Sequence, residues 1–427
     1  MRPFLSAFII VLFSSSLLLS ADWSAFRGPD GNGKSPDTGL LKKWQAGGPK
    51  LLWQVDFLGT GWSSVSIAGD RIYISGNIGD KSMVFCLDKN GQKIWEKDNG
   101  PAHTSARHYP GTRGTPTIED DCVYDLSALG EVACFDAKTG NKKWNRNIIK
   151  DYDAPMPMWS FGHSVIVEGE NVICPVGGAK TIAVALNKRT GEPVWEAAPV
   201  NSPGFVNQER GNPPGNVAVA YTTPYLFEFD GVRIVAVMSE ATIEGLDAKT
   251  GKKLFSFPWT NSHQCHCTMP IYHNGHLFCT TGYNNSGAKL FQLTKKSDGT
   301  ITPAERWSEA RFNNQHGGVV LVGDHVYGTN HGGEWCSIHF MTGEVGYRSR
   351  NAGKGSVHYA DGLLYGLTED DKTVLLIKPE PKEFVLLSRF ELPNEAAGKS
   401  WAHPVVLGGR LYLRHAQYLY CYDVKAE

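Results

Sequence analysis

Asp136-Ala137-Lys138-Thr139-Gly140-Asn141-Lys142-Lys143-Trp144 decides how this chain is read, because the chain repeats it. The pattern returns over 187–195, with Thr190-Gly191 in register and Trp195 at its end. It returns again over 247–255 and 339–347, where Thr250-Gly251 and Thr342-Gly343 keep the turn while Phe255 and Tyr347 replace the tryptophan. A version one residue shorter runs from Asp88 through Gly91 to Trp95. Self-similarity at a spacing of about 40 to 60 residues marks one supersecondary unit stacked many times.

Each copy has an upstream half. Val65 to Tyr73, Val319 to Tyr327 and Val405 to Tyr412 all place a Gly-Asp or Gly-Gly pair between two apolar runs, which is a hairpin signal. One unit therefore reads as four strands: two flank the hairpin, a third ends at the Asp, and the Thr-Gly turn leads into a fourth that carries the aromatic. Four antiparallel strands per repeat describe a propeller blade. Hairpins around Tyr73, Tyr124, Ile173, Val235, Phe278, Tyr327, Tyr365 and Tyr412 predict eight blades. Seven is the alternative, since the fifth and seventh units match the repeat least well. The last unit stops at Cys421-Tyr422-Asp423, one strand short, whereas Pro49 to Trp53 resembles a fourth strand with no blade before it. Pairing the two would close the ring and remove an open sheet edge. The expectation is an all-β fold, an eight-bladed propeller of four-stranded antiparallel blades closed by the N-terminal strand.

In the repeat, Asp accepts turn N–H groups, Gly supplies the positive φ of a bulged hairpin, and Trp95, Trp144 and Trp195 pack between neighbouring blades. Composition agrees: 427 residues with 41% hydrophobic side chains and 47 glycines make a large, turn-rich core. A formal charge of −1 without a long basic run argues against nucleic acid as a partner. Arg2 followed by the apolar stretch Phe4 to Leu19 reads as a secretory signal, cut near Ala21 although Leu stands three positions back. The run is too short for a membrane span, and no Cys follows it to carry a lipid anchor. The expected organisation is a signal peptide over 1–21, an N-terminal arm over 22–48 and a propeller over 49–427. The mature chain is expected to be periplasmic or secreted, without a transmembrane segment, and monomeric. Cys86, Cys134 and Cys421 share one register two residues before the motif Asp or its equivalent, with Cys336 close to it, so they read as buried thiols in separate blades rather than disulfides.

Repeats of the form Asp-x-x-Thr-Gly-x-x-x-Trp resemble the tryptophan-docking repeats of the pyrroloquinoline quinone (PQQ) propellers. That superfamily holds quinoprotein alcohol dehydrogenases and non-catalytic, BamB-like proteins of outer-membrane barrel assembly. The resemblance covers about residues 50–427. The segments Asp22 to Gly33 and Trp401-Ala402-His403-Pro404, the latter followed by Gly409 to Arg414, are similar to exported PQQ-like proteins of planctomycete-type bacteria. For the dehydrogenases the resemblance implies a quinone in the central funnel, a Ca²⁺ or lanthanide on carboxylate and amide side chains, an Asp base and, in several members, two adjacent cysteines over the quinone. This chain has no Cys-Cys pair, Cys265-His266-Cys267 being the nearest approach, no obvious carboxylate-plus-Asn set and no Cys-x-x-Cys-His haem motif.

Propeller ligands usually meet the loops that lead into each blade's innermost strand. Aligning the hairpins puts Trp62, Arg113, Gly162-His163, Tyr221, His266-Cys267, His316, Lys354 and Trp401-Ala402-His403 there. The candidate ligand-binding residues are Trp62, Arg113, His163, His266, His316, Lys354, Trp401 and His403, a cationic, His-rich, stacking-competent funnel. It suits a multi-carboxylate quinone, an acidic sugar or an anionic peptide terminus. The His/Cys cluster from His263 to Cys279 has no trusted zinc spacing, and Asp30-Gly31-Asn32-Gly33 reads as a turn that fixes the arm, with Trp23 and Phe26 buried, so no metal site is assigned.

Three functions follow. The first is a non-catalytic binding or scaffold propeller with a protein or glycan partner. The second is a PQQ-dependent alcohol or sugar dehydrogenase, with PQQ and Ca²⁺ as cofactors and quinone contacts from Arg113, Lys354 and a funnel Trp. The third is a lyase-type carbohydrate-active enzyme in which His163, His316 or His403 takes a proton beside a uronate held by Arg113.

Overall fold

The computed structural model describes residues 22–426 apart from 106–108, 201–216, 284–285, 394–395 and 397. The leader of 1–21 and most of the loop from Pro199 to Tyr221 lie outside the described residues. Eight four-stranded antiparallel sheets form the propeller. Seven are contiguous, over 66–101, 117–147, 166–197, 225–258, 271–309, 319–349 and 355–391. The eighth joins Val405–Leu407, Arg410–His415 and Tyr418–Asp423 to the N-terminal strand Lys50–Val55. Lys50 faces Asp423 and Val55 faces Leu419, so the ring closes as the unpaired strand ends implied.

The repeat does its work at the outer edge of each blade. Asp136 accepts bonds from the Thr139 amide and hydroxyl, both at 2.8 Å, and Asp247 caps Thr250 in the same way. In all eight blades the register between the third and fourth strands shifts, as it does between Cys134 and Phe135, which is the bulge the turn requires. The tryptophan then docks on the next blade: the Trp144 indole N–H donates to Lys188 O at 3.0 Å while its ring covers Gly191. Trp95 docks on Ala137 and Trp195 on Ala248 by the same bond, as do Trp307 on Phe340 and Trp53 on Lys89. Gly191 has φ +74, and a Cβ there would lie 2.7 Å from the Trp144 ring. Gly191→Ala is therefore expected to cost about 2 kcal/mol or more, read as a lowered urea midpoint.

No disulfide forms among the cysteines. Cys86, Cys134, Cys336 and Cys421 lie buried in third strands, as their register implied. Residues 23–33 cross the ring, and 34–48 run along the seventh and eighth blades, where Leu40 and Trp44 pack with Phe390 and Val424. Trp23, 1% exposed, exchanges two 2.8 Å backbone bonds with Ile67 of the first blade's innermost strand. Ile118 of the second blade donates to Ser24, and Tyr359 of the seventh donates to Gly33. Gly31 sits against Tyr225 of the fourth and Met269 before the fifth. Reaching the inner strands of the first, second, fourth and seventh blades, this segment lies across one end of the central channel. Phe26, expected to be buried beside Trp23, is half-buried and lines a cavity on each of its sides.

Candidate functional site

Above Phe26 the channel widens into a cavity of about 510 Å³. Six of the eight sequence-predicted residues line it: Trp62, Arg113, His316, Lys354, Trp401 and His403. His163 and His266 do not; they are 1% and 0% exposed and turned into the core. The reason is alternation along an extended chain: at Gly162-His163 and His266-Cys267 one residue of each pair faces the cavity and its neighbour faces away. Gly162 and Cys267 are the members that line it.

One wall is aromatic. Trp62 and Trp401 lie 4.8 Å apart by ring centroids, and Tyr109 meets Trp401 edge-on at 4.9 Å. The Arg113 guanidinium sits 5.1 Å over the Trp62 ring, within cation–π range, and donates to Ser160 Oγ (2.6 Å) and Tyr109 O (2.7 Å). Burial pulls Arg113 down to about 10, which leaves it charged at neutral pH. Tyr109 (φ 56) and Tyr283 (φ 65) line this cavity with left-handed backbone, which is uncommon for bulky side chains and clusters at binding sites.

The opposite wall centres on Gln315. Its Oε1 receives Lys354 Nζ and stands 3.1 Å from His331 Nδ1, while its Nε2 donates to the Tyr283 hydroxyl. Lys354 also pairs with Glu369 at 2.9 Å. His316 Nε2 stands 3.7 Å from the same carboxylate, beyond hydrogen-bond reach. Burial, then Lys354, His331 and Lys399, hold His316 well below the usual histidine range.

His403 forms part of the floor. Arg27 from the arm, 5% exposed, approaches its Nδ1 at 3.1 Å, and His403 Nε2 lies 2.9 Å from His316 O. Arginine only donates, so Nδ1 accepts and the proton sits on Nε2, donated to the carbonyl. Burial, with Arg27 next, holds His403 down to about 3. Four histidines, His263, His316, His331 and His403, line the cavity, and the expectation of a cationic, His-rich funnel is corrected only in the source of its charge. The charge comes from Arg113 and Lys354, Glu369 offsets part of it, and His316 and His403 stay neutral.

Sequence reasoning missed Tyr283, His331 and Glu369, which sit in loops joining the second and third strands of the fifth, sixth and seventh blades. Those loops open on the same face as the ones that were aligned. Aligning both loop sets would have found them. Gln315, Tyr109 and Trp159, also missed, lie in the loops into innermost strands but upstream of the aligned position.

A PQQ–Ca²⁺ pair fits this cavity only in part. Arg113, Lys354 and the two tryptophans match a flat polycarboxylate, but among the described lining residues Glu369 is the one carboxylate, and it is engaged by Lys354. Among the described residues no three His, Cys, Asp or Glu side chains converge to hold an ion. The described donor set does not make a calcium site.

The class defined so far is an eight-bladed propeller with a central cavity. A family model described as outer membrane protein assembly factor BamB matches residues 37–221 and 153–385, and the chain belongs to that family, within the PQQ-like, BamB-like propellers. BamB of Burkholderia pseudomallei (strain K96243) is 28% identical over 185 residues, 42% of this chain and 42% of that relative. The match thus spans less than half of the relative's length. Among solved structures, BamB from Moraxella catarrhalis superposes with a TM-score of 0.59 at 14% identity, over 88% of this chain and 99% of that one. Quinohemoprotein alcohol dehydrogenase from Comamonas testosteroni does so with a TM-score of 0.64, also at 14% identity, over 95% of this chain and 81% of that one. At such identities the likeness is one of fold.

Proposed function

We propose that this chain is an exported, monomeric, non-catalytic binding propeller of the periplasm or extracellular space, whose cavity captures an anionic, flat or ring-bearing group of a protein or glycan partner. The observation that carries the reading is the arrangement of Arg113 over Trp62, with Trp401 and Tyr109 against it and Lys354 across the cavity. It offers stacking faces and fixed positive charge. The family description, an assembly factor, favours a protein partner. The leader-like sequence before Asp22 supports export. Among the described residues no helix is long and apolar enough to cross a membrane.

The dehydrogenase reading keeps the likeness of fold and the Arg–Trp–Lys wall, but finds no ion site among the described residues. The lyase reading loses two of its three bases, since His163 lies outside the cavity and both His403 nitrogens are hydrogen-bonded. Calorimetric titration with PQQ, with a uronate oligosaccharide and with an acidic peptide, each with and without Ca²⁺, separates the readings. The proposal expects binding that is independent of Ca²⁺ and about tenfold or more weaker in Arg113→Ala, without dye-linked substrate oxidation. Substrate-dependent dye reduction in the presence of PQQ would establish the dehydrogenase instead, and an ultraviolet-absorbing unsaturated sugar product would establish the lyase.

A further inference from the structure

Cys265 and Cys267 stand apart from the other seven cysteines. Those seven belong to blade strands and are buried: Cys86, Cys122, Cys134, Cys174, Cys279, Cys336 and Cys421. Cys265 and Cys267 occupy the loop before Ile271–His273, both line the cavity, and their Sγ atoms are 3.5 Å apart. Cys265 is 6% exposed, whereas Cys267 is partly open to solvent. The separation is a van der Waals contact of two thiols, and a disulfide needs about 2.05 Å. The backbone around them is fixed: Asn261 bonds both the amide (3.1 Å) and the carbonyl (2.7 Å) of Cys265, and His266 O accepts from Tyr221 N at 2.9 Å. Side-chain rotation is what can bring the sulfurs together.

We propose that Cys265 and Cys267 are a dithiol–disulfide couple, a redox modification site in the cavity wall whose oxidant is a small-molecule disulfide. The Cys267 thiolate attacks one sulfur of the oxidant and expels a thiolate, leaving a mixed disulfide. The Cys265 thiolate then attacks Cys267 Sγ and expels the second. The protein loses two electrons and two protons, and the small disulfide becomes two thiols. The Arg113 guanidinium interacts electrostatically with both sulfurs, and Tyr221, bonded to this loop, lines the same cavity. Oxidation therefore changes the surroundings of the cation that the binding site presents.

The experiment treats the full chain, purified reduced, with oxidised glutathione and counts thiols after denaturation. Intact mass and peptide mapping are run alongside. The expected result is a fall from nine thiols to seven, a mass lower by two hydrogens, a bond mapped between Cys265 and Cys267, and reversal by dithiothreitol. The double variant Cys265→Ser, Cys267→Ser should hold seven thiols before and after treatment. Retention of all nine thiols, a glutathione adduct that does not resolve, or a bond mapped elsewhere, as between Cys122 and Cys134 on neighbouring strands of the second blade, would overturn the proposal. Those wild-type measurements decide the question even where the double variant fails to fold. They do not depend on the function proposed for the cavity.

Discussion

Acidification from neutral pH to about pH 5 is expected to unfold the propeller. Burial holds His316 well below the usual histidine range and holds four further histidines neutral, His163 down to about 4 and His266, His358 and His403 each to about 3, with Arg27 adding to the last two. Above the unfolded histidine value near 6.5 both states are neutral and nothing is lost. Below it the unfolded chain takes up protons that the folded chain refuses, so stability is lost as pH falls from 6.5 toward 3 or 4. At pH 5 each of those four costs about 2 kcal/mol, together on the order of 8 kcal/mol, which is comparable with the whole stability of a folded protein. Asp125 works the other way. Buried, and bonded to Ser75 (2.6 Å) and Asn99 (2.8 Å), it is pushed up to about 6. It therefore binds a proton more tightly when folded and returns about 1.4 kcal/mol at pH 5. Melting temperature measured across pH 7.5 to 4.5 checks the balance: a steep fall beginning below 6.5 is expected. A flat profile down to pH 5 would show that these imidazoles are protonated in the folded state.

Deleting Lys50–Val55 is expected to leave no soluble, cooperatively folding protein. The deletion strips the outer strand from Tyr418–Asp423 and exposes a bare sheet edge. It also removes Trp53, whose indole N–H donates to Lys89 O at 3.0 Å and whose ring covers Gly91, fastening the eighth blade to the first. Lost ladder bonds at about 1 kcal/mol each, together with the docked indole, exceed about 5 kcal/mol. Gel filtration and circular dichroism of the truncated chain test this. A monomer that melts as the full chain does would mean that closure by this strand is dispensable.

The architecture was legible because it is local and repeated. Asp-x-x-Thr-Gly is a turn with its own hydrogen bonds, and the aromatic that follows meets the glycine one blade on. Trp307 escaped notice because the fifth blade replaces that turn by Lys296 to Thr300, capped through Asp298, so the aromatic docks on Gly343 without its usual prelude. The cavity was legible only in part. Aligning loops places residues at the mouth, but which of two adjacent side chains faces inward depends on local strand phase, and this misassigned His163 and His266. Glu369 and Gln315 carry no motif, and they gain meaning only through Lys354, which both engage. The path of Arg27 across the ring to His403 has no periodicity, since it is decided by contacts hundreds of residues apart.

That crossing segment turns a pipe into a cup. With Trp23 to Gly33 lying across the far side and Phe26 lining the cavity beside it, the 510 Å³ space has a base supplied by the arm. The capture proposed for this cavity is then of an end of a chain, or of a group projecting from its side: of tips and not of lengths.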